Sequence, residues 1–139
     1  MKKLYSTLCL ALAVILGSPA HAEIVLYCQT ELATGFIKDK NTGSWRTANF
    51  NLKRYTIKFN DDYKTLSGLG SIYDYSCNQP YSFEKDFISC RSDAKDGGTF
   101  LYNLSTKRFF LSTPSYAGFV ENSKKPDTDT MKAGTCQKF

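Results

Sequence analysis

Histidine is nearly absent from this sequence of 139 residues, and the only one, His21, lies close to the amino terminus. Beyond that position the chain cannot form a Ser-His-Asp or Cys-His nucleophile arrangement, and it has no histidine for general acid–base catalysis. It also lacks the histidine ligands of most hydrolytic zinc centres. The sequence therefore predicts no catalytic residue, and we expect a protein that is not an enzyme.

Long apolar runs are also missing. The longest, Leu8–Leu16, has nine residues, whereas a membrane-spanning helix needs about 20. Two lysines precede this run, and the small-x-small triplet Ala20–Ala22 follows it. This order is typical of a secretory signal peptide, here a short one of bacterial type. We predict a signal peptide over residues 1–22 and a mature domain over residues 23–139, located in the periplasm or outside the cell and without a transmembrane span.

A strong excess of positive charge is absent too. Removal of the two leader lysines leaves 16 basic and 13 acidic residues, a net charge of +3. The segments Lys53–Tyr55 and Lys107–Phe110 resemble single-strand nucleic-acid grooves in composition. However, their charges alternate with positions expected in a core, and the net charge is far below that of basic nucleic-acid-binding domains. The sequence predicts no nucleic-acid partner.

Four cysteines follow the predicted leader: Cys28, Cys77, Cys90 and Cys136. They are separated by 48, 12 and 45 residues, so the close Cys pairs of a zinc site are missing. An even number of cysteines in an exported chain indicates two disulfides. Of the three connectivities that the sequence leaves open, we favour Cys28–Cys136, which joins the chain ends, and Cys77–Cys90, which closes a local loop. We predict no metal and no cofactor.

Sustained helical periodicity is absent from the mature chain. Short segments alternate between apolar and polar residues and are separated by Gly, Asn, Asp, Ser and Pro, which is typical of strands and turns. The alternation is clearest in Arg54–Phe59. The one alternative is a helix within residues 82–91. The other predicted strands are 24–29, 35–38, 44–50, 71–77, 86–91, 116–120 and 131–139, together with a hairpin over 100–113.

The predicted fold is a single all-β domain of eight to ten strands. Successive hairpins favour an antiparallel meander. If a disulfide joins the first strand to the last, those strands are neighbours, as in a closed or nearly closed small barrel of about eight strands.

Aromatic residues are plentiful, above all in the hairpin over residues 100–113. One face of each of its strands is fully apolar, as expected of a sheet buried on one side. Either Phe109 or Phe110 must then point outward. Outward aromatic rings can stack on a sugar, a peptide or a base, and the candidates for such a surface are Trp45, Tyr73, Tyr75, Tyr102 and Phe110.

The acidic pairs predict turns and not metal sites. Asp61 and Asp62, Asp93 and Asp96, and Asp127 and Asp129 lie in polar segments. None continues with the glycine and distal glutamate of a calcium loop. Their spacing across a cleft, which a pair of glycosidase carboxylates would require, cannot be read from the sequence.

The layout of an exported β domain with a cysteine near each end is similar to that of the small periplasmic lysozyme inhibitors of bacteria. The Ser-Gly-x-Arg-Tyr segment of those proteins has no counterpart, because Ser67–Tyr73 lacks the arginine. We therefore do not assign the chain to that family.

The functional prediction is a secreted or periplasmic binding domain without enzymatic activity. A protein partner, such as an envelope or host protein that it inhibits, is favoured over a small ligand because surplus tyrosine suits protein interfaces. Two alternatives stay open: a carboxylate-based hydrolase of envelope polysaccharide and a structural envelope component. The sequence does not give the partner or the oligomeric state.

Overall fold

The structure, a computed structural model, describes residues 23–115 and 127–138. These residues form nine antiparallel strands and no helix, in keeping with the predicted all-β class. The strands are β1 (Ile24–Lys38), β2 (Trp45–Asn49), β3 (Arg54–Phe59), β4 (Thr65–Ser67), β5 (Tyr75–Asn78), β6 (Phe87–Ser92), β7 (Thr99–Asn103), β8 (Arg108–Thr113) and β9 (Asp127–Lys138).

Eight of these strands close into a barrel. Each strand from β3 to β9 pairs with the next, and β1 pairs with both β3 and β9. An eight-stranded barrel is just wide enough for side chains to fill its interior. Its alternate inward residues form one apolar core: Leu26, Cys28, Tyr55, Ile57, Phe59, Leu66, Leu69, Tyr75, Ile88, Cys90, Phe100, Tyr102, Phe109, Leu111 and Cys136.

The extra strand, β2, continues β3 along the same edge of β1. Extending the β1–β3 register from Gln29 opposite Arg54 by five residues places Thr34 opposite Asn49, which is the observed β1–β2 pairing. Backbone hydrogen bonds from Thr30 N to Lys53 O (2.9 Å) and from Phe50 N to Ala33 O (3.0 Å) bridge the interval. The first third of the domain is therefore one long hairpin with an interruption in its second arm.

A β-bulge at Glu31 reverses the inward and outward sides of β1. The register against β9 shifts between Thr30 and Leu32. Thr30 is buried, Glu31 and Leu32 are both exposed, and Ala33 is buried again. A bulge of this kind adds one residue and bends its strand. The two strands predicted over 24–29 and 35–38 are consequently a single strand, because the bulge hides their continuity in the alternation pattern.

Side-chain caps define three of the hairpin turns. The Asp39 carboxylate accepts the N–H groups of Asn41 (2.8 Å) and Thr42 (2.9 Å), and these bonds, that of Thr42 first, hold its pKa below the usual value. The Asn103 side chain likewise accepts from Thr106 N (2.8 Å). In the β3–β4 turn the side-chain oxygen of Asn60 accepts two backbone N–H groups, four and five residues further along the chain. Asp and Asn favour turns because their side chains bond nearby backbone groups.

Both predicted disulfides are confirmed. Cys28–Cys136 joins β1 to β9, and Cys77–Cys90 joins β5 to β6. In each case the two residues lie directly opposite one another on neighbouring strands. The first disulfide therefore lies at the seam where the first and last strands close the barrel.

Several element predictions need correction. Residues 82–91 contain turns and β6 and no helix, and β4 lies where only a connector was expected after Phe59. Asp127 and Asp129 belong to β9 and not to a turn. The strand predicted over residues 116–120 and the signal peptide over residues 1–22 lie outside the described residues.

Candidate binding surfaces

The structure separates the five aromatic residues predicted to form one binding surface. Tyr75 and Tyr102 are only 3% and 1% exposed and belong to the barrel core, so their assignment to an outer surface is wrong. The strand alternation directs both side chains inward. Tyr73 is exposed in the connection between β4 and β5, on the opposite side of the closed sheet from β9. Only Trp45 and Phe110 share an outer face.

That outer face carries a row of apolar side chains across four strands. Leu32 on β1 lies opposite Ala133 on β9, Ala133 lies opposite Phe110 on β8, and Phe110 lies opposite Leu101 on β7. Directly opposed residues of antiparallel strands point to the same side of the sheet and contact one another. Leu32 is 70% exposed and Phe110 is 36% exposed, so the row is open to solvent.

The apolar surface continues toward β2. Met131 on β9 and Phe36 on β1 lie on the same side as the row, and Trp45 on β2 lies opposite Lys38, two residues after Phe36. Phe36 and Trp45 are both exposed. We call this surface the outer apolar face, defined by Leu32, Phe36, Trp45, Leu101, Phe110, Met131 and Ala133.

Of the residues of this face, only Trp45 and Phe110 were predicted from the sequence. Leu32 was missed because its outward direction depends on the bulge at Glu31. Phe36 was missed because the outward side of its strand could not be chosen before the register with β9 was known. The composition offers one usable signal, namely an outward aromatic residue in the hairpin over 100–113, and the structure resolves that choice as Phe110.

A second exposed aromatic cluster lies beside β6. The rings of Tyr81 and Phe83 stack with centroids 5.2 Å apart, and Tyr81 also contacts Phe87 at 5.7 Å. Phe87 opens β6 on the outer side, opposite Asn103. The proline-containing segment before β6 therefore carries aromatic rings near the end of the outer apolar face at β7.

One end of the barrel opens into a cavity of about 450 Å³, which we call the barrel mouth. Strands β3, β5, β7 and β9 enter the barrel near this end, and β4, β6 and β8 leave it there. Its inner wall is formed by the buried side chains Tyr55, Leu69, Tyr75 and Leu111. Gly68 allows the β4–β5 connection to lie close to β3, since a Cβ there would come within 2.2 Å of Thr56 O.

Charged groups stand around this apolar wall. The Lys132 ammonium lies 6.0 Å from the centroid of the Tyr55 ring, and burial lowers the pKa of Lys132. Burial likewise raises the pKa of Tyr55 and, with a further contribution from the Asp96 charge, that of Tyr75. Asp96 accepts a hydrogen bond from Gly98 N at 2.9 Å. Because Lys132 and Asp96 approach from β9 and from the β6–β7 turn, sequence spacing could not have joined them.

A shallow groove of about 510 Å³ lies on the outer side of β1, β3 and β9. Its polar lining includes Gln29, Glu31, Arg54 and Thr135, and the Thr135 hydroxyl donates to Glu31 Oε1 at 2.8 Å. Among the described residues, each of these two cavities has a single carboxylate in its lining, Glu31 in the groove and Asp96 in the mouth.

The basic segments Lys53–Tyr55 and Lys107–Phe110 combine outward charged side chains with an inward aromatic one, as the sequence predicted. Arg54 and Arg108 point to solvent, whereas Tyr55 and Phe109 pack in the core with their rings 6.5 Å apart. Within residues 23–115 and 127–138, no three His, Cys, Asp or Glu side chains are grouped as a metal site would require. The same residues contain no helix that is long and apolar enough to cross a membrane.

Comparison with protein-family models, with curated proteins and with solved structures finds no significant match to this chain.

Proposed function

We propose that this protein is an exported binding domain without enzymatic activity, and that it engages a protein partner through the outer apolar face. The observation that carries the proposal is the solvent-open row of Leu32, Ala133, Phe110 and Leu101. The barrel core is complete without these side chains, so core packing does not account for them. Contiguous exposed apolar surface marks interaction sites in soluble proteins.

The composition of the face suits a protein partner. Aromatic residues and methionine are enriched at the centre of protein interfaces, and Phe36, Trp45, Phe110 and Met131 supply them here. Rigid strands hold these side chains in fixed positions, which lowers the entropy lost on binding. The two disulfides are consistent with export to an oxidising compartment.

The alternative of a carboxylate-based polysaccharide hydrolase has less support. Paired-carboxylate hydrolysis places two carboxyl groups across the substrate, about 5 to 10 Å apart. In the part of the chain that the structure describes, the groove and the barrel mouth have one lining carboxylate each. The Glu31 carboxylate is also engaged by the Thr135 hydroxyl.

Site-specific photo-crosslinking tests the proposal. A benzophenone amino acid replaces Phe110 or Phe36 in the full-length protein, which is expressed and irradiated in intact cells of the organism that encodes it. We expect both positions to yield one covalent adduct heavier than two copies of the chain. Ile72, which is 92% exposed in the β4–β5 connection and is not part of the outer apolar face, is the control position and should yield none.

Substitution of Phe110→Ser should then reduce crosslinking from position 36 roughly tenfold, the loss expected when a central aromatic contact is truncated. The proposal fails if position 72 gives the same adducts as position 110. It also fails if the only adduct has twice the mass of the chain, since the face would then join two copies.

A further inference from the structure

The barrel mouth contains an amine that has no ion-pair partner among residues 23–115 and 127–138. Lys132 is a residue of β9, and its ammonium group extends over the ring of Tyr55 into the cavity. No carboxylate in the described parts of the chain forms an ion pair with it. Burial lowers the pKa of this amine, which means that the charged form has lost water without gaining a negative partner.

Most of the other charges that line the mouth have the same sign as Lys132. Lys53 and Arg54 line the cavity with Lys132, against one carboxylate, Asp96. That carboxylate already accepts a hydrogen bond from Gly98 N at 2.9 Å. Field lines concentrate in a cavity with low-dielectric walls, so an excess of positive charge there attracts small anions.

Beneath these charges the wall is apolar. Tyr55, Leu69 and Leu111 are all at most 9% exposed and form the top of the barrel core. The cavity volume of about 450 Å³ falls within the range of small-molecule sites, which combine an apolar lining with a few polar groups. A ligand that contacts both the positive charges and the apolar wall has one negatively charged end and one apolar end.

We propose that the barrel mouth binds a small amphipathic anion, an organic acid whose carboxylate meets the Lys132 ammonium and whose apolar part lies on Tyr55, Leu69 and Leu111. This site is separate from the outer apolar face, and it does not depend on a protein partner there. The negative group would pair with an ammonium that has no carboxylate partner in the described parts of the chain, and the apolar part would lie on the core side chains that line the mouth.

Octanoate, below its micelle concentration, is the test ligand. The full-length sequence is expressed with ¹⁵N label in a bacterium and the protein is purified after export. We expect octanoate to shift the amide resonances of Tyr55, Leu69, Leu111 and Lys132. Octylammonium, which has the same chain length and the opposite charge, should bind at least about tenfold more weakly, because it meets Lys132 with a like charge.

Two variants with the same change in net charge distinguish binding at the barrel mouth from a general attraction of the anion to the positively charged protein. Lys132→Gln should raise the octanoate Kd roughly tenfold or more, the expected loss of a charge-assisted contact. Lys58→Gln is the control, since Lys58 is exposed on β3 and paired with Glu23 at 2.9 Å, away from the mouth. Resonance spectra of each variant confirm that it is folded before binding is compared.

Three results would overturn the proposal. The first is equal weakening by both variants, which would indicate general charge attraction. The second is equal binding of octanoate and octylammonium, which would indicate purely apolar attraction. The third is a set of shifts confined to the outer apolar face, or no shifts at millimolar octanoate.

Discussion

At the scale of single residues, the position of Lys132 costs the ammonium group hydration, and no ion pair among the described residues compensates for that loss. Its ammonium lies 6.0 Å from the Tyr55 ring centroid, at the outer limit of a cation–π contact, which is worth about 0.5–1 kcal/mol at an exposed site. Burial lowers the pKa of Lys132, because the charged amine loses hydration there. A residue kept in such a position is typical of functional sites.

Lys132→Met should therefore stabilise the protein at neutral pH, by about 0.5 kcal/mol. Because the pKa of Lys132 is lower in the folded state than the ordinary lysine value of 10.5, the unfolded chain binds more protons between those two pKa values. The free energy of unfolding of the wild type therefore rises with pH between these two pKa values. Below both values the amine is charged in the folded and the unfolded state, and its full hydration cost remains. The advantage of the variant should be largest near pH 7 and should shrink as pH approaches 10.5.

Urea unfolding of the two proteins at pH 7 and pH 10 measures this difference. Tyr55, Tyr75 and Tyr102 are present in both proteins, so the comparison reduces the effect of their own titration. If the variant is less stable at pH 7, the methylene stem and the ring contact of Lys132 contribute more than hydration costs.

For single residues, the sequence predicted the direction of some side chains and not of others. The alternation of Arg54–Phe59 predicted both the bounds and the inward side of β3, because a strand with one buried face has no other way to arrange those residues. The aromatic candidates were less predictable. Tyrosine is common both in cores and on interfaces, so the burial of Tyr75 and Tyr102 became apparent only with their strand partners.

At the scale of elements, the close pairing of β1 with β9 depends on two glycines that admit the neighbouring backbone. A Cβ on Gly134 would lie 2.0 Å from Gln29 O and 2.9 Å from Phe109 Cε1, and one on Gly35 would lie 1.9 Å from Asp129 O. Neither position leaves room for a methyl group. The two glycines lie on either side of the bulge at Glu31, where β1 bends along β9.

Gly134→Ala should thus destabilise the barrel by about 2–4 kcal/mol, as expected when backbone must move to relieve a clash. Gly43→Ala is the matched control. Gly43 has a positive φ of 71° but open space around its Cα, so its substitution should cost about 1 kcal/mol of conformational strain. Urea unfolding with both disulfides intact compares the variants. Equal losses of unfolding free energy in the two variants would mean that β1 and β9 move apart to admit the Cβ at position 134 without an additional cost.

The elements also explain why only part of the candidate sites could be predicted. Period-two alternation locates strands but fixes neither their partners nor a bulge, and one extra residue reverses every later side chain. Leu32 became part of the outer apolar face in this way. The barrel mouth combines β3, β5, β8 and β9 with three connections. Its assembly follows from barrel closure, which the sequence suggested only through the favoured Cys28–Cys136 pairing.

At the scale of the whole molecule, the two disulfides constrain very different lengths of chain. Cys28 and Cys136 are 108 residues apart and Cys77 and Cys90 are 13 apart. In the chain-entropy model a crosslink stabilises by restricting the unfolded chain, by about 4.7 kcal/mol for a loop near 100 residues and about 3 kcal/mol for one near 15. The bond at the barrel seam should therefore contribute more than the local one.

Paired Cys→Ala variants measure the two contributions. We expect the Cys28→Ala and Cys136→Ala double variant to lose up to about 4.7 kcal/mol in urea unfolding, and the Cys77→Ala and Cys90→Ala double variant up to about 3 kcal/mol. Alanine leaves similar small gaps at the buried positions Cys28, Cys90 and Cys136, so the difference between the variants reports mainly the loop. The reverse order of losses would contradict the entropic account. It would show that the long pairing of β1 with β9 already holds the seam closed, and that the β5–β6 pair, with four paired positions, is the part of the barrel that depends on its covalent bond.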